Sequence, residues 1–221
     1  MKIVIVTGGE VELSYAAGFL KTYGKAYVVA VDGGLSKVER LGLIPDCIIG
    51  DFDTVSRKLL EVYQKQGIPV ETHQPEKDYT DTERALLYSL SLPDVSEIVI
   101  LGGLGRRFDH ALANIQILLH ALKRKIPCYI IDAHNRISLL DSSRELERSQ
   151  IWGRYVSLIP FTEQVKGVTL TGFKYPLTEA TLTLGNSLGI SNELLESRGR
   201  IALREGILIY IESRDEAGGC E

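Results

Sequence analysis

The feature that most constrains the fold is a regular alternation of two patterns over residues 1 to about 140. Short runs of β-branched residues alternate with segments in which apolar residues recur at helical spacing. Strand candidates are residues 2–7, 26–31, 47–49, 95–101 and 127–132, and helix candidates are residues 35–41, 55–66, 81–91 and 109–123. This alternation is typical of βαβ units, so the sequence predicts a parallel sheet with helices.

The pattern changes beyond about residue 143. Short segments with alternating apolar and polar residues follow one another, glycines separate them, and no long helical pattern appears. The strand candidates here are residues 155–160, 165–171, 180–184, 200–203 and 207–212, with a hairpin turn predicted at Glu205-Gly206. We therefore predict a Rossmann-like parallel-sheet α/β domain over residues 1–142, followed by a small all-β sandwich domain over residues 143–221.

Composition excludes several classes of partner. A formal charge of −4 is spread over 221 residues without long like-charged blocks, so we expect a small-molecule partner and no nucleic acid. The first apolar run is too short for a signal peptide or a membrane span, so we expect no membrane association. The odd number of cysteines, Cys47, Cys128 and Cys220, argues against a disulfide framework and predicts reduced thiols in the cytoplasm.

Two aspartates, Asp51 and Asp53, follow a short apolar run that reads as a buried strand. In an extended backbone, residues two apart point to the same side, so their carboxylates would lie together. Neighbouring carboxylates repel each other unless a cation lies between them, and hard oxygen ligands suit Mg²⁺ carrying nucleotide phosphates. A metal site is therefore predicted here, the alternative being an aspartate-rich turn or helix cap.

A glycine pair follows the second predicted strand in the segment Asp32-Gly33-Gly34. In open α/β sheets, ligands bind beyond the carboxyl ends of the strands, near helix N-termini. Two glycines would let backbone N–H groups come close to a phosphate. The alternative is a tight turn with a solvated aspartate.

Two further segments combine charges with a predicted helix start. The first contains Lys77, Asp78 and Asp81, which offer one cation for phosphate and two carboxylates. The second joins a glycine-rich loop to two arginines and an Asp-His pair, with candidate ligand contacts at Gly102, Gly103, Arg107, Asp109 and His110. It lacks the spacing of a Walker-type phosphate loop. Solvated capping residues are the alternative for the first segment, and a backbone-bonded histidine for His110.

Three polar residues later in the chain are weaker candidates. Asn135 follows a predicted strand and could contact a nucleotide base or form a turn. Ser191 and Asn192 lie in a segment rich in small and amide side chains, which by composition alone is an ordinary β-turn loop.

Taken together and in this order, these segments resemble the thiamine pyrophosphokinase family over nearly the whole chain. The resemblance implies transfer of the pyrophosphoryl group of ATP to the hydroxyl of thiamine, giving thiamine diphosphate and AMP. It also implies an ATP-binding catalytic domain, a β-sandwich that binds thiamine and forms the dimer, and a homodimer with active sites at the subunit interface. One departure is Arg106, which stands before Arg107 where the family usually has glycine.

The resemblance also implies roles for individual residues. It places Asp51, Asp53 and Asp81 around Mg²⁺ and the phosphates, and it matches Ser191 and Asn192 to the thiamine-binding segment. The remaining matches line the nucleotide and phosphate site, namely Asp32, Gly33, Gly34, Lys77, Asp78, Gly102, Gly103, Arg107, Asp109 and His110.

The expected mechanism is direct attack of the thiamine hydroxyl on the β-phosphorus of MgATP, with Asp78 or Asp32 as candidate proton acceptor. Two other classes stay open from the residues alone: a metal-dependent phosphohydrolase, and a nucleotide- or thiamine-binding protein without catalysis.

Overall fold

The computed structural model describes residues 1–52, 56–72, 79–105 and 107–215. These residues form two compact units that divide between Ala133 and His134. The catalytic and substrate-binding roles expected for residues 1–142 and 143–221 stay predictions.

The first unit contains a parallel sheet. Its strands are β1 (Lys2–Val6), β2 (Tyr27–Val31), β3 (Cys47–Gly50), β4 (Val70–Thr72), β5 (Glu97–Leu101) and β6 (Cys128–Ile131). Their order is β6-β5-β1-β2-β3-β4, and every neighbouring pair is parallel. Strand order reverses at β1, because β2 to β4 extend on one side of it and β5 and β6 on the other. A reversal of this kind opens a crevice at the carboxyl ends of the strands, where α/β proteins bind ligands.

Burial explains why the central strands are apolar without interruption. In β1, the side chains from Ile3 to Val6 are fully buried, and β5 is buried from Ile98 to Leu101. A parallel sheet covered on both faces requires such continuous apolar runs, whereas a half-exposed strand would alternate. The first part of the chain is therefore of the predicted α/β class.

Five helices accompany this sheet: α1 (Leu13–Tyr23), α2 (Gly34–Arg40), α3 (Arg57–Lys65), α4 (Asp81–Ser91) and α5 (Phe108–Lys123). The bounds of α4 agree with the prediction, and its start is capped by Thr80, whose Oγ1 accepts the Glu83 backbone N–H at 3.2 Å. Neither α1 nor β4 was predicted. Helix α1 has no side-chain cap at its N-terminus, and its residues Tyr15 and Ala16 are buried.

The second unit contains two antiparallel sheets. Its strands are β7 (Asn135–Leu140), β8 (Arg144–Glu147), β9 (Tyr155–Pro160), β10 (Gln164–Thr171), β11 (Leu177–Thr183), β12 (Asn192–Glu193), β13 (Arg198–Ala202) and β14 (Leu208–Ser213). One sheet has the order β12-β9-β14-β7 and the other β11-β10-β13-β8. A single apolar cluster, which includes Val156, Leu158, Val168 and Ile201, draws residues from both sheets.

The hairpin predicted at Glu205-Gly206 is wrong. Strand β13 pairs with β10 and β8, whereas β14 pairs with β7 and β9, so the two strands belong to different sheets. The segment between them crosses from one sheet to the other, and Glu205 instead forms a bridge with Lys166. Strands β7, β8 and β12 were also not predicted. In the parts of the chain that the structure describes, no helix is both long and apolar enough to cross a membrane.

Candidate active site

A cavity of about 770 Å³ opens at the carboxyl ends of β1, β2 and β5, where the strand order reverses. This volume lies in the usual range for small-molecule sites. All of its lining belongs to the first unit: Thr7, Gly8, Gly9, Glu10, Val31, Asp32, Gly33, Lys37, Thr80, Asp81, Thr82, Gly102, Gly103, Gly105, Arg107, His110 and Asn114.

Glycines allow the loops around the cavity to pack backbone against backbone. A Cβ added at Gly9 would lie 2.1 Å from the carbonyl oxygen of Gly102, and one added at Gly34 would lie 2.0 Å from that of Val6. No side chain fits at either position without moving the main chain. The loop after β1 is therefore locked against both the loop after β5 and the start of α2.

Asp32 lies at the end of β2 in a left-handed backbone conformation, with φ of 45°. Its Oδ1 occupies space that only glycine at position 50 leaves free, because a Cβ there would lie 1.9 Å from this oxygen. The same oxygen accepts the Phe52 backbone N–H at 3.4 Å. The end of β3 thus holds the Asp32 carboxyl group in the cavity.

Asp32 and Asp81 both line the cavity, and their carboxyl groups lie close enough to interact. Burial raises the pKa of Asp32 from 3.8 to about 7, and the charge of Asp81, the hydrogen bond with it and the charge of Asp51 add to the increase. The sequence prediction places Asp81 with Asp51 and Asp53; the structure adds Asp32 as a neighbour of Asp81, and Asp53 lies outside the described residues.

This acidic pair suits a divalent cation. Mg²⁺ is usually bound through one or two carboxylates together with substrate phosphates and water, so a closed cage of protein ligands is not required. Among the described residues, no set of three or more acidic, histidine or cysteine side chains could by itself enclose a metal ion. Asp51 is exposed beside the pair. The residues present therefore fit Mg²⁺ that arrives with a polyphosphate.

The loop after β5 leads into α5 and adds a paired arginine. Arg107 donates from Nε and Nη2 to Asp109, at 3.2 and 2.5 Å, and both side chains are exposed. The hydrogen bond from Arg107 holds the pKa of Asp109 down at about 2. His110 lines the cavity, and its backbone N–H donates to Asp109. Gly102 and Gly103 lie in the same lining, as the glycine-rich motif suggested.

Sequence reasoning missed several cavity residues, among them Lys37 and Asn114. Lys37 in α2 donates from Nζ to the carbonyl oxygens of Thr7, at 3.1 Å, and Gly9. Asn114 in α5 is buried and donates from Nδ2 to the Gly103 carbonyl at 2.8 Å. Asn114 could have been predicted from the sequence, because it is a polar residue within an apolar helical pattern. It lies four positions after His110 and therefore on the same helix face. Lys37 carried no such signal.

Three predicted site residues, Asp53, Lys77 and Asp78, lie outside the described residues, as does Arg106. Their roles stay predictions.

In the second unit, the structure distinguishes Ser191 from Asn192. Asn192 is buried, and its amide donates to the Tyr175 carbonyl at 2.8 Å and accepts the backbone N–H groups of Tyr175 and Glu193 at 3.0 and 2.9 Å. Ser191 is exposed in a left-handed conformation, and its backbone N–H donates to Ser157 Oγ. Asn192 is therefore occupied in holding β12, and Ser191 presents a hydroxyl at the surface.

Asn135 is the first residue of β7 in the second unit, where it pairs with Ser213. Its expected contact with a nucleotide base stays a prediction.

Comparison with known proteins identifies the family of this chain. A family model described as the thiamin pyrophosphokinase catalytic domain matches residues 21–130, and one described as the vitamin B1 binding domain of thiamin pyrophosphokinase matches residues 143–208. Thiamine pyrophosphokinase of Bacillus subtilis is 40% identical over 189 residues, which cover 85% of this chain and 87% of that protein. Thiamin pyrophosphokinase 1 of Caenorhabditis elegans is 25% identical over 84% of this chain and 79% of its own length.

Solved structures give the same result. The crystal structure of the Bacillus subtilis thiamine pyrophosphokinase superposes with a TM-score of 0.86 at 36% identity, covering 98% of this chain and all of that one. The chain therefore belongs to the thiamin pyrophosphokinase family. It is by that membership a transferase of the diphosphokinase class, and the family's known reaction moves the pyrophosphoryl group of ATP to thiamine. The function predicted from sequence is confirmed.

The crowded carboxylates predict an unusual pH dependence of stability in the metal-free protein. Because the pKa of Asp32 is raised on folding, the unfolded chain gives up this proton first, and stability falls as the pH rises from about 4 through about 7. The substitution Asp32→Asn removes the ionisable carboxyl group, and with it this dependence of stability on pH. We expect the variant to gain thermal stability over the wild type at pH 8, and the difference to vanish near pH 4, in melting curves recorded with a chelator.

Asp46→Asn is the matched control, since Asp46 also accepts a backbone N–H, from Val28, but lies outside the cavity lining. This control should show no gain in stability over the wild type. A wild type whose stability rises steadily from pH 4 to pH 8, with no gain in Asp32→Asn, would contradict the role given to Asp32.

The different positions of Ser191 and Asn192 predict different effects of alanine. Asn192→Ala leaves backbone groups of Tyr175 without partners and should lower the free energy of unfolding by about 2 kcal/mol. Ser191→Ala removes an exposed hydroxyl and should leave stability within about 0.5 kcal/mol of the wild type. Urea unfolding measures both. Equal losses of stability in the two variants would contradict the distinction.

Proposed function

We propose that the chain transfers the pyrophosphoryl group by direct in-line attack of the thiamine hydroxyl on the β-phosphorus of MgATP, with the nucleotide bound in the cavity of the first unit. The observation that carries this proposal is the contact between Asp32 and Asp81 within a glycine-lined cavity where the strand order reverses. Close carboxylates and glycine-rich loops together suit a metal-bound polyphosphate better than either feature alone.

Phosphate binding is assigned to the loops that end β1, β2 and β5. Gly33, Gly102 and Gly103 line the cavity and let the main chain approach phosphate oxygens, and the start of α5 adds a favourable helix dipole. Gly34 is buried against Val6 and is proposed to act by holding the start of α2 close to the cavity. Arg107, at the N-terminus of α5, would turn from Asp109 to a phosphate, since both side chains are exposed and the exchange costs little. Lys77 is proposed to add a second cation.

The proposed metal ligands are Asp51, Asp53 and Asp81. Bound Mg²⁺ would supply charge neutralisation at the phosphate oxygens. Its charge would also relieve the repulsion that Asp32 now experiences from Asp81 and Asp51.

Proton removal from the thiamine hydroxyl is proposed for Asp32 or Asp78. Asp32 is supported by its position, since Gly50 and the Phe52 backbone hold its carboxyl group inside the cavity. Catalysis would otherwise depend on positioning and charge stabilisation rather than on a covalent intermediate. His110 and Asp109 are assigned to the nucleotide site as lining residues.

Thiamine binding is assigned to the second unit, where the match to the vitamin B1 binding domain falls. Ser191 is proposed to contact thiamine directly, and Asn192 to act by holding the backbone of β12 and Tyr175 in place. Asn135 is proposed to contact the nucleotide base.

We further propose a homodimer with active sites at the subunit interface. Five large apolar side chains of the second unit are exposed by 43 to 58%, which supports an interface there: Tyr175, Leu184, Leu188, Ile190 and Leu195. A cytoplasmic location is supported by the free, buried thiols of Cys47 and Cys128. Strand order supports a Rossmann-like description of the first unit, and the shared apolar cluster supports a sandwich in the second.

The reaction itself is tested by product analysis. Incubation with Mg²⁺, ATP and thiamine should release AMP and thiamine diphosphate in equal amounts, with no AMP when thiamine is omitted. Asp81→Asn should lower kcat by roughly 100-fold or more, because it removes a proposed metal ligand. Chromatographic separation of nucleotides measures both.

Glu83→Gln is the control for Asp81→Asn, since Glu83 lies on the same helix but pairs with His120 outside the cavity lining. This variant should keep kcat within about twofold of the wild type. Release of ADP would identify an ordinary kinase, release of phosphate without thiamine a phosphohydrolase, and binding without turnover a non-catalytic protein.

The composite active site is tested by mixing two inactive variants. Asp81→Asn disables the first unit, and Ser191→Lys places a cation against the thiazolium ring in the second. If each site joins the first unit of one subunit to the second unit of its partner, a mixed dimer contains one intact site. After subunit exchange, random pairing makes half of the dimers mixed, and each mixed dimer has one intact site instead of two. The mixture should therefore recover about one quarter of wild-type activity.

Activity that stays at the level of the separate variants, while mass measurement shows mixed dimers, would place each active site within one subunit. A mass that shows only monomers would overturn the homodimer.

A further inference from the structure

Among the described residues of the cavity lining, Lys37 is the cation that the proposed mechanism has not used. It lies in α2, three residues after Gly34, and its Nζ donates to the carbonyl oxygens of Thr7 and Gly9 in the loop after β1. An ammonium group has three N–H donors, and these two bonds use two of them. The third has no protein acceptor within the described residues, and the side chain lines the cavity.

The charge of Lys37 is less compensated than that of Arg107. Among the described residues of the cavity lining, these two are the lysine and arginine side chains, and Arg107 is paired with Asp109 in a two-point ion pair. Lys37 is hydrogen-bonded only to neutral carbonyl groups, while Glu10 acts on it through charge alone. Burial, followed by the charge of Arg40, lowers its pKa. A half-buried cation held by dipoles alone is favourable mainly when an anion joins it.

The anion that fits is the polyphosphate of the nucleotide. Lys37 sits beneath the glycine loop after β1, which itself is locked against the loop after β5 by the contact between Gly9 and Gly102. Backbone N–H groups of such loops and an ammonium group together form a typical phosphate environment. A substrate that carries several negative charges gains from a further cation in the cavity, beside those already assigned to it.

We infer that Lys37 contacts the polyphosphate of ATP with its third N–H while its other two hold the loop after β1. This inference deepens the proposed function and rests on it. It makes Lys37 a substrate-binding residue, in contrast to a lysine that only shapes the loop.

The test compares ATP with adenosine, which differ in the polyphosphate alone. Lys37→Gln keeps a donor for the loop carbonyls and removes the charge, and Lys37→Met removes both. In calorimetric titrations without thiamine, both variants should bind ATP at least tenfold more weakly and adenosine within twofold of the wild type. Lys37→Arg should retain ATP affinity within about threefold, because it restores the charge.

Arg40→Met is the matched control, since it removes one cation from the exposed end of the same helix. It should leave both affinities within twofold. ATP affinity of the wild type should also fall more steeply with salt than that of Lys37→Gln.

An equal loss for ATP and adenosine in Lys37→Gln would make Lys37 a loop-holding residue and overturn the inference, as would unchanged ATP binding. A different result would overturn the proposed reaction, namely no thiamine-dependent release of AMP by the wild type. An ATP-specific loss in that case would uphold Lys37 as a phosphate contact while overturning the reaction.

Discussion

Contact between main chains at the carboxyl edge of the parallel sheet is the constraint on which the site depends. Gly9 and Gly34 bring the loop after β1 within touching distance of the loop after β5 and of α2, at positions where a Cβ would lie about 2 Å from a carbonyl oxygen. Because the backbones meet directly, the loops cannot spread apart to accommodate larger side chains. The same loops line a cavity of about 770 Å³, and their glycines allow a phosphate to come close to the main chain. Rigid strands below and close contacts above thus hold the site before any ligand arrives.

The charges in the cavity lower the stability of the protein without ligand and strengthen the binding of a ligand with complementary charges. Asp32 and Asp81 share one small space, and the pKa of Asp32 is raised accordingly. Lys37 lies in the same cavity without a carboxylate hydrogen-bonded to it. Both arrangements are unfavourable in the isolated chain, and each becomes favourable with the opposite charge, a cation for the aspartates and an anion for the lysine. A metal-bound polyphosphate supplies both at once. The site therefore exchanges some stability for affinity, as strained functional sites often do.

Much of the first unit followed from local patterns. Strong β-branched runs bounded by glycine or proline located five of its six strands, and Thr80 with Asp81 located the start of α4. Helix α1 was missed because it has no capping side chain, and strand β4 because three residues carry too little periodicity. In the second unit, adjacent strands in sequence were read as a hairpin at Glu205-Gly206, although they belong to different sheets. Sheet membership depends on which faces are buried together, and no local signal encodes that.

The sequence by itself determined the residue types of the site, their order along the chain and the family to which the chain belongs, because motifs and apolar periodicity are properties of short segments. Only the tertiary structure decided which of these residues meet. It paired Asp81 with Asp32, placed Lys37 beneath the loop after β1, and showed that the Asn192 side chain is occupied by the backbone of Tyr175. Such contacts join residues distant in the chain, and they depend on strand order and on close backbone packing, which become defined only when the sheet is assembled.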